Sequence, residues 1–236
     1  MRSSASATHC LTITRDGGVE AKPLTPSGNR FGQCGDGRSE KKASLDARRV
    51  ANIVDCVAVA AGGGKDAGHS VAATADGAVY TWGCDRWQQL GLGSAEAGAV
   101  GYTWEGGRLW RTSPQRVGAL GDVVDVAAGA DHSVALSRDG RVFAWGRGND
   151  GQLGNKAFVG PPRKVAALSK DATRRPVAVA AAAACSCAWL EDALGSGTAA
   201  CVGSCSKVAK SLREALAAKV DARKTCRFGE FAETLT

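Results

Sequence analysis

The chain has three histidines, and each is followed seven positions later by Asp-Gly: His9 by Asp16-Gly17, His69 by Asp76-Gly77 and His132 by Asp139-Gly140. Imidazole is the side chain best suited to proton transfer or metal ligation near neutral pH. Ser70 and Ser133 directly follow two of these histidines, and a serine beside a base could act as a nucleophile. The spacing weighs against both chemistries. Adjacent residues on a strand point to opposite faces, so His-Ser in sequence is not a nucleophile–base pair. The histidines lie 60 and 63 residues apart, inside nearly identical text: GHSVAATADGAVYTWG (68–83) and DHSVALSRDGRVFAWG (131–146). Residues that recur with a repeat belong first to the repeated unit, and one unit apart they do not converge to ligand distance.

Two other groups could carry chemistry. Cys185, Cys187, Cys201 and Cys205 form a CxC…CxxxC set. Zinc favours closer C-x₂₋₄-C pairs around a compact knuckle, so these cysteines are expected to be small buried hydrophobes with no metal. The second group lies in a long connection. After Gly91 the chain runs 23 residues to Pro114, whereas after Gly154 it runs only 7 to Pro161. The extra segment carries Tyr102, Trp104, Arg108, Trp110 and Arg111. Long loops on rigid scaffolds commonly bind, and Trp and Arg are the usual interface anchors. These five residues are the candidate partner-binding set, with the tryptophans at least partly exposed. The alternative is that the loop packs its tryptophans on its own unit.

The elements that position these residues follow from the third copy. Val123 to Ala128 is β-prone and ends at Gly129; 132–137 alternates as a strand does; Asp139-Gly140 signals a two-residue hairpin turn; 141–145 is the return strand, broken by Gly146. Three strands and no helical period predict an antiparallel meander, closed by the glycine-rich loop 147–154. The second copy runs from Val57 through His69 and Trp82-Gly83 to CDRWQQLG (84–91). Its Gly62-Gly63-Gly64-Lys65 lacks the spacing and following helix of a phosphate loop and reads as an enlarged turn. The first copy lacks the Val-x-Val-Ala-Ala-Gly strand before His9. The fourth is degenerate: Val177–Ala181 matches 124–128, Cys185 falls at the position of His132, Ser186 at Ser133, and Val202-Gly203 at Trp145-Gly146. Val208, Leu212, Leu216 and Val220 then recur every four residues, predicting an amphipathic helix over 207–221.

The string HSVALSRDGRVFAWGRGNDGQLG (132–154) resembles the repeat of the regulator of chromosome condensation family. The resemblance rests on Gly129, His132-Ser133, Asp139-Gly140, Trp145-Gly146 and Gly151-Gln152-Leu153-Gly154. It returns at 62, 69–70, 76–77, 82–83 and 89–91, and more weakly at 9, 16–17 and 32–33. It implies a β-propeller, seven-bladed in known members, with four-stranded blades. Seven copies would need on the order of 400 residues, and about four are present. The expected fold is therefore all-β: an array of about four blades, an incomplete seven-bladed propeller or an unusual small one, with a short C-terminal helix. Residues 1–205 form the repeat region (about 5–36, 54–93, 123–155 and 177–205) and 206–236 the helix and tail. An open array exposes apolar blade faces at both ends, and the fourth copy with the helix could cap one of them.

Composition bounds the function. Lys and Arg number 30 against 23 Asp and Glu, a formal net charge of +7, but the basic residues are scattered pairs (Arg48-Arg49, Arg163-Lys164, Arg174-Arg175). Such pairs do not demand nucleic acid or chromatin as a partner. Nine cysteines at irregular spacing, without a secretory segment, argue against a disulfide framework and for a reducing intracellular compartment, cytoplasm or nucleus. The longest apolar run, Val177 to Leu190, is too short for a membrane span and reads as a buried strand. The Ser-rich start runs straight into the first repeat and is not read as a targeting segment. The chain is expected to be a protein-interaction scaffold, neither an enzyme nor a cofactor binder, with a protein partner and no membrane contact. Guanine-nucleotide exchange on a small Ran-like GTPase is the alternative that the resemblance implies, although the matching motifs are structural glycines and turns and place no exchange residue. A light-sensing propeller is a third class; six tryptophans are present, but the Trp-Arg motif repeat of the plant UV-B photoreceptor is not.

Overall fold

The computed structural model describes residues 2–64, 67–93, 102–105, 108–155, 159–169, 171, 173–205 and 209–232. These form four antiparallel sheets followed by one long helix. The first sheet contains β1 (Ser3–Ala5), β2 (His9–Ile13), β3 (Val19–Pro23) and β4 (Arg48–Arg49), in that order. The second has β5 (Cys56–Gly63), β6 (Gly68–Thr74) and β7 (Val79–Cys84), then β9 (Arg108–Arg116) with β8 (Thr103–Glu105) outside it. The third is β10 (Val123–Ala128), β11 (His132–Ser137), β12 (Val142–Arg147) and β13 (Val159–Lys164). The fourth is β14 (Arg174–Ala182), β15 (Cys185–Asp192) and β16 (Gly197–Gly203). The helix, α1, spans Ala209–Ala232. Each sheet is one blade.

Several expectations need correction. Blades one to three have a fourth strand after the glycine-rich loop, beyond the three-strand meander read from the sequence. The first blade does have an inner strand, β1. It escaped notice because its residues, Ser-Ser-Ala, replace the apolar run found in the other copies. It pairs Ser3 with Thr12 and Ala5 with Cys10. The apolar run 177–190 is two strands rather than one, folded back at Ala183, which takes φ 44. Gly146 does not end its strand. It sits inside β12 as a bulge opposite β13, at φ +100, where a Cβ would lie 2.6 Å from the Asp131 carbonyl oxygen.

The hairpins at 132–147 and 69–84 form as expected, with His132 opposite Gly146 and His69 opposite Gly83. The turn between them is longer than the two-residue type. Gly140 N–H donates to Ser137 O (2.9 Å) and Ser137 N–H to Arg141 O (2.9 Å), so a four-residue turn carries a glycine at φ +85 behind it. Asp139 does not need positive φ. Its carboxylate accepts from Ser137 Oγ (2.5 Å) and Arg141 N–H (3.3 Å). Asp76 is bonded in the same way by Thr74 and Ala78, and Asp16 by Thr14 and Gly18. Asp in the repeat is thus a turn clamp.

The core lies between blades, because each central sheet is apolar on both faces. Alternation along a strand sends Val126 and Ala135 toward blade two, where they join Ala58, Val71 and Val79. It sends Ala127, Val134 and Leu136 toward blade four, to Val179, Ala188 and Leu190. The opposite face of blade four, with Ala178, Cys185 and Cys187, is covered by Leu212, Leu216 and Val220 of α1. The helix therefore occupies the place a following blade would take. Lys219 fixes it there, with Nζ 2.7 Å from Asp125 Oδ1 and donating to Val179 O (3.1 Å). Asp125 is fully buried and also accepts from Val126 and Val179 N–H. The inner strands β1, β5, β10 and β14 line one groove of about 690 Å³, bordered by Leu212, Ala215 and Lys219.

Candidate functional site

The histidines and serines that opened the sequence do meet, but across blades. His9 Nε2 lies 2.7 Å from Ser70 Oγ of the next blade, and His69 Nε2 3.0 Å from Ser133 Oγ. Each serine gives its own proton elsewhere: Ser70 Oγ to Gln33 O, Ser133 Oγ to Gln89 O, both at 2.8 Å. The histidine must then be the donor, which fixes the Nε2–H tautomer. A serine whose proton points at a carbonyl, beside a histidine that is itself donating, is not an activated nucleophile. All three histidines are fully buried, and burial holds the pKa of His9 and His69 down to about 3 and of His132 to about 4. His9 and His69 are neutral joints between blades, whereas neither ring nitrogen of buried His132 has a hydrogen-bond partner among the described residues.

The rest of the motif completes the joint. Trp82 Nε1 donates to Gln33 O (2.9 Å) and Trp145 Nε1 to Gln89 O (2.8 Å), so each carbonyl takes two bonds from the next blade. The glutamine side chains accept from N–H groups in their own loops, Gln33 from Phe31, Gln89 from Trp87 and Gln152 from Asp150. His, Ser, Trp and Gln thus recur because one loop of each blade is bound to two strands of the next. In blade four, Ser186 keeps its bond to Gln152 O (2.8 Å), while Val202 stands opposite Ser186 where the tryptophan would be.

The long connection adds one strand, β8, which forms a hairpin with β9, the fourth strand of blade two, at the blade's outer edge. It divides the candidate set. Trp110 is 4% exposed and packs edge-on against Phe31, with centroids 5.4 Å apart, in a cluster that includes Cys84. It anchors the hairpin and is not an exposed contact, contrary to expectation; the opposing apolar pocket between blades one and two wins the ring. Tyr102 and Arg111 are half-buried together, the guanidinium 3.9 Å from the ring centroid. Tyr102 Oη donates to Asp85 Oδ2 (2.7 Å), and Asp85 accepts at Oδ1 from Leu90 N–H (2.9 Å). Burial raises Asp85 to about 6 and, with the neighbouring carboxylate, pushes the Tyr102 phenol up. The side chains of Trp104 and Arg108 lie outside the described residues.

Trp87, half-exposed, is held between two guanidinium groups, Arg86 at 5.2 Å and Arg147 of blade three at 5.4 Å from its ring. Arg147 also faces Asp131 (3.5 Å) and Asp150 (3.9 Å). Trp87 follows Asp85, the acceptor of the Tyr102 hydroxyl, by two residues, so the two clusters share one loop of blade two. In sequence, Trp87 and Arg147 sit at unlike positions of two copies, which is why the pairing was not seen. Cys185–Cys205 and Cys187–Cys201 are disulfide-bonded, against the expectation of free buried thiols. Cys187 and Cys201 are direct cross-strand neighbours, and CxC puts Cys185 on the same face as Cys187, so sheet register overrides the spacing argument.

Comparison with known proteins agrees with this architecture. Models of the regulator of chromosome condensation (RCC1) repeat match residues 76–136 and 139–189, and a second such model matches 123–152. The chain is 38% identical over 173 residues to the human protein named probable E3 ubiquitin-protein ligase HERC3, covering 70% of this chain and 14% of that one. It is 30% identical over 167 residues to the ultraviolet-B receptor UVR8 of Arabidopsis thaliana, covering 69% and 33%. To the regulator of chromosome condensation of Xenopus laevis it is 35% identical over 149 residues, covering 61% and 31%. The chain thus spans a third or less of these relatives. Among solved structures, human WBSCR16 superposes with TM-score 0.60 at 23% identity, covering 81% of this chain and 46% of that one. Prp20p from Saccharomyces cerevisiae gives 0.60 at 23%, covering 77% and 41%; both show a shared fold. With its repeat matched by the family models and each repeat built as a propeller blade, the chain belongs to the regulator of chromosome condensation repeat family.

Proposed function

We propose that the chain is a protein-interaction scaffold, and that its binding surface is the end of blades two and three where the β8–β9 hairpin meets the Trp87 loop. The observation that carries this reading is a pair of aromatic–guanidinium clusters, Tyr102 with Arg111, and Trp87 with Arg86 and Arg147. It joins half-buried aromatic rings to guanidinium groups, the side chains that dominate protein interfaces. Trp104 and Arg108 belong to the same hairpin and remain in the proposed contact set. Arg86, Arg108 and Arg111 favour an acidic protein partner, while Arg147 already faces Asp131 and Asp150. The scattered basic pairs do not favour nucleic acid: Arg48 is paired with Asp36 and Glu40, Arg49 with Asp16 and Arg174 with Asp171. No helix among the described residues is long and apolar enough to cross a membrane. The proposed compartment is cytoplasm or nucleus.

A second reading, guanine-nucleotide exchange on a Ran-like GTPase, is supported by the likeness to the Xenopus laevis regulator and to Prp20p, whose structure was described with its binding to Gsp1p and histones. Two measurements separate the readings. Capture of proteins from the cells that make this chain is compared between the wild type and the R86E/R147E variant. Proteins lost by the variant at unchanged melting temperature support the scaffold surface, and identical sets refute it. Release of a fluorescent GDP analogue from Ran-like GTPases, accelerated by the chain, would establish exchange instead.

A further inference from the structure

The four sulfurs of blade four lie closer together than two independent crosslinks require. Cys185, Cys187, Cys201 and Cys205 have all their Sγ atoms within 4.8 Å of one another, and Cys185 Sγ is 3.6 Å from Cys187 Sγ, across the two disulfides. A tetrahedral zinc ion with Zn–S of about 2.3 Å has sulfur edges of about 3.8 Å, so the cluster is nearly the size of such a shell. We infer that, with the disulfides reduced, these four cysteines form a structural site for one Zn²⁺.

Placement in the repeat supports this. In the other blades the residues equivalent to Cys185 are His9, His69 and His132, and those equivalent to Cys187 are Leu11, Val71 and Val134. Val71 and Val134 pack into the joint with the next blade. Blade four has α1 there instead, and the positions that would have faced a fifth sheet carry sulfur. Terminal repeats are commonly altered where they lose a neighbour. The altered chemistry is also confined: the other described cysteines, Cys10, Cys34, Cys56 and Cys84, lie in other blades. Cys185 and Cys187 are fully buried under Leu212 and Leu216, so the shell would be shielded from water on one side and reached from the half-exposed Cys201 and Cys205. No residue has to change strand or register to build it. Four thiolates from two paired strands and the residue just past β16 are the donor set that suits a closed, four-coordinate zinc site.

The two states interconvert by balanced chemistry. Each disulfide accepts two electrons and two protons from a dithiol reductant, which leaves as its own disulfide, giving two cysteine thiols. Zn²⁺ then binds four sulfurs, and the four thiol protons pass to solvent. In the oxidised state no sulfur is available and the metal is excluded. The inference is independent of the interaction surface proposed above and would survive its failure.

The test uses the full chain, purified with a dithiol reductant, and Co²⁺ alone as the first probe. One equivalent should bind with thiolate-to-cobalt charge transfer and the visible bands of tetrahedral cobalt, and Zn²⁺ should displace it. X-ray absorption of the zinc-loaded chain should show sulfur only, at about 2.3 Å. The air-oxidised chain should take up no metal, and C187S/C201S should lose at least a hundredfold in affinity. If that variant does not fold, the wild-type cobalt spectrum and the sulfur shell still decide. A folded, reduced chain that takes up no cobalt overturns the assignment. So does a shell containing nitrogen or oxygen, unchanged uptake by a folded C187S/C201S, or disulfides that persist under the reductant.

Discussion

Lowering the pH from 7 to 5 should destabilise this protein through its three buried histidines. In the fold His9 and His69 titrate at about 3 and His132 at about 4, because burial strips water from the charged ring. In the unfolded chain they titrate at about 6.5. Below 6.5 the unfolded state takes up protons that the folded state refuses, so stability is complete above that pH and is lost as the pH falls toward the folded values. At about 1.4 kcal/mol per pH unit, each histidine removes about 2 kcal/mol by pH 5, or ~6 for the three. One buried group opposes this. Asp85, raised by burial to about 6, takes up its proton in the fold first. It returns about 1.4 kcal/mol over the same interval. Asp16, Asp76, Asp139 and Asp171 are held low chiefly by hydrogen bonds and stay ionised at pH 5. The net loss is about 4.5 kcal/mol, a large share of the roughly 5–15 that domains possess. Urea midpoints at the two pH values measure it, provided the denaturant slope is unchanged. His69→Gln should be less stable at pH 7 but lose about a third of the histidine pH dependence, ~2 kcal/mol. Equal midpoints at pH 7 and 5, or folded histidines titrating near 6.5 by NMR, would refute the reasoning.

Gly146→Ala should cost about 1–3 kcal/mol, through its positive φ and the close Asp131 carbonyl. Gly118→Ala, with open space around it, should stay within about 0.5 in the same melts. Trp110→Ala should cost about 3–5 kcal/mol, seen as a large fall in melting temperature, because the ring fills the contact with Phe31. Lys219→Ala removes the ion pair to buried Asp125; with Lys219 partly in solvent the loss should be about 1–2 kcal/mol, and limited proteolysis should cut α1 faster.

The repeat was legible from local rules. Asp-Gly turns, two-residue alternation and the recurring His-Ser, Trp-Gly and Gln-Leu-Gly placed β10, β11 and β12 nearly to the residue, because turn chemistry and strand periodicity act over a few neighbours. The offset that set Cys185 on His132 was equally readable, since both face a positive-φ glycine across the hairpin, Gly203 and Gly146. The first blade's inner strand was not, because Ser3–Ala5 owes its conformation to β2 and to Ala61 N–H bonding Ser4 Oγ, both supplied by other segments.

The purpose of the repeated residues was decided only by the tertiary structure. His9 and Ser70 are 61 positions apart, and nothing local says that one donates to the other while both blades share the Gln33 carbonyl. The same holds for Trp87 between Arg86 and Arg147, and for Trp110, which left its loop for a pocket beside Phe31. Sulfur spacing along the chain argued against a cluster, and strand pairing made one. A strand pattern determines which face a side chain takes, whereas contacts between blades depend on how sheets stack, and that is a property of the assembled core.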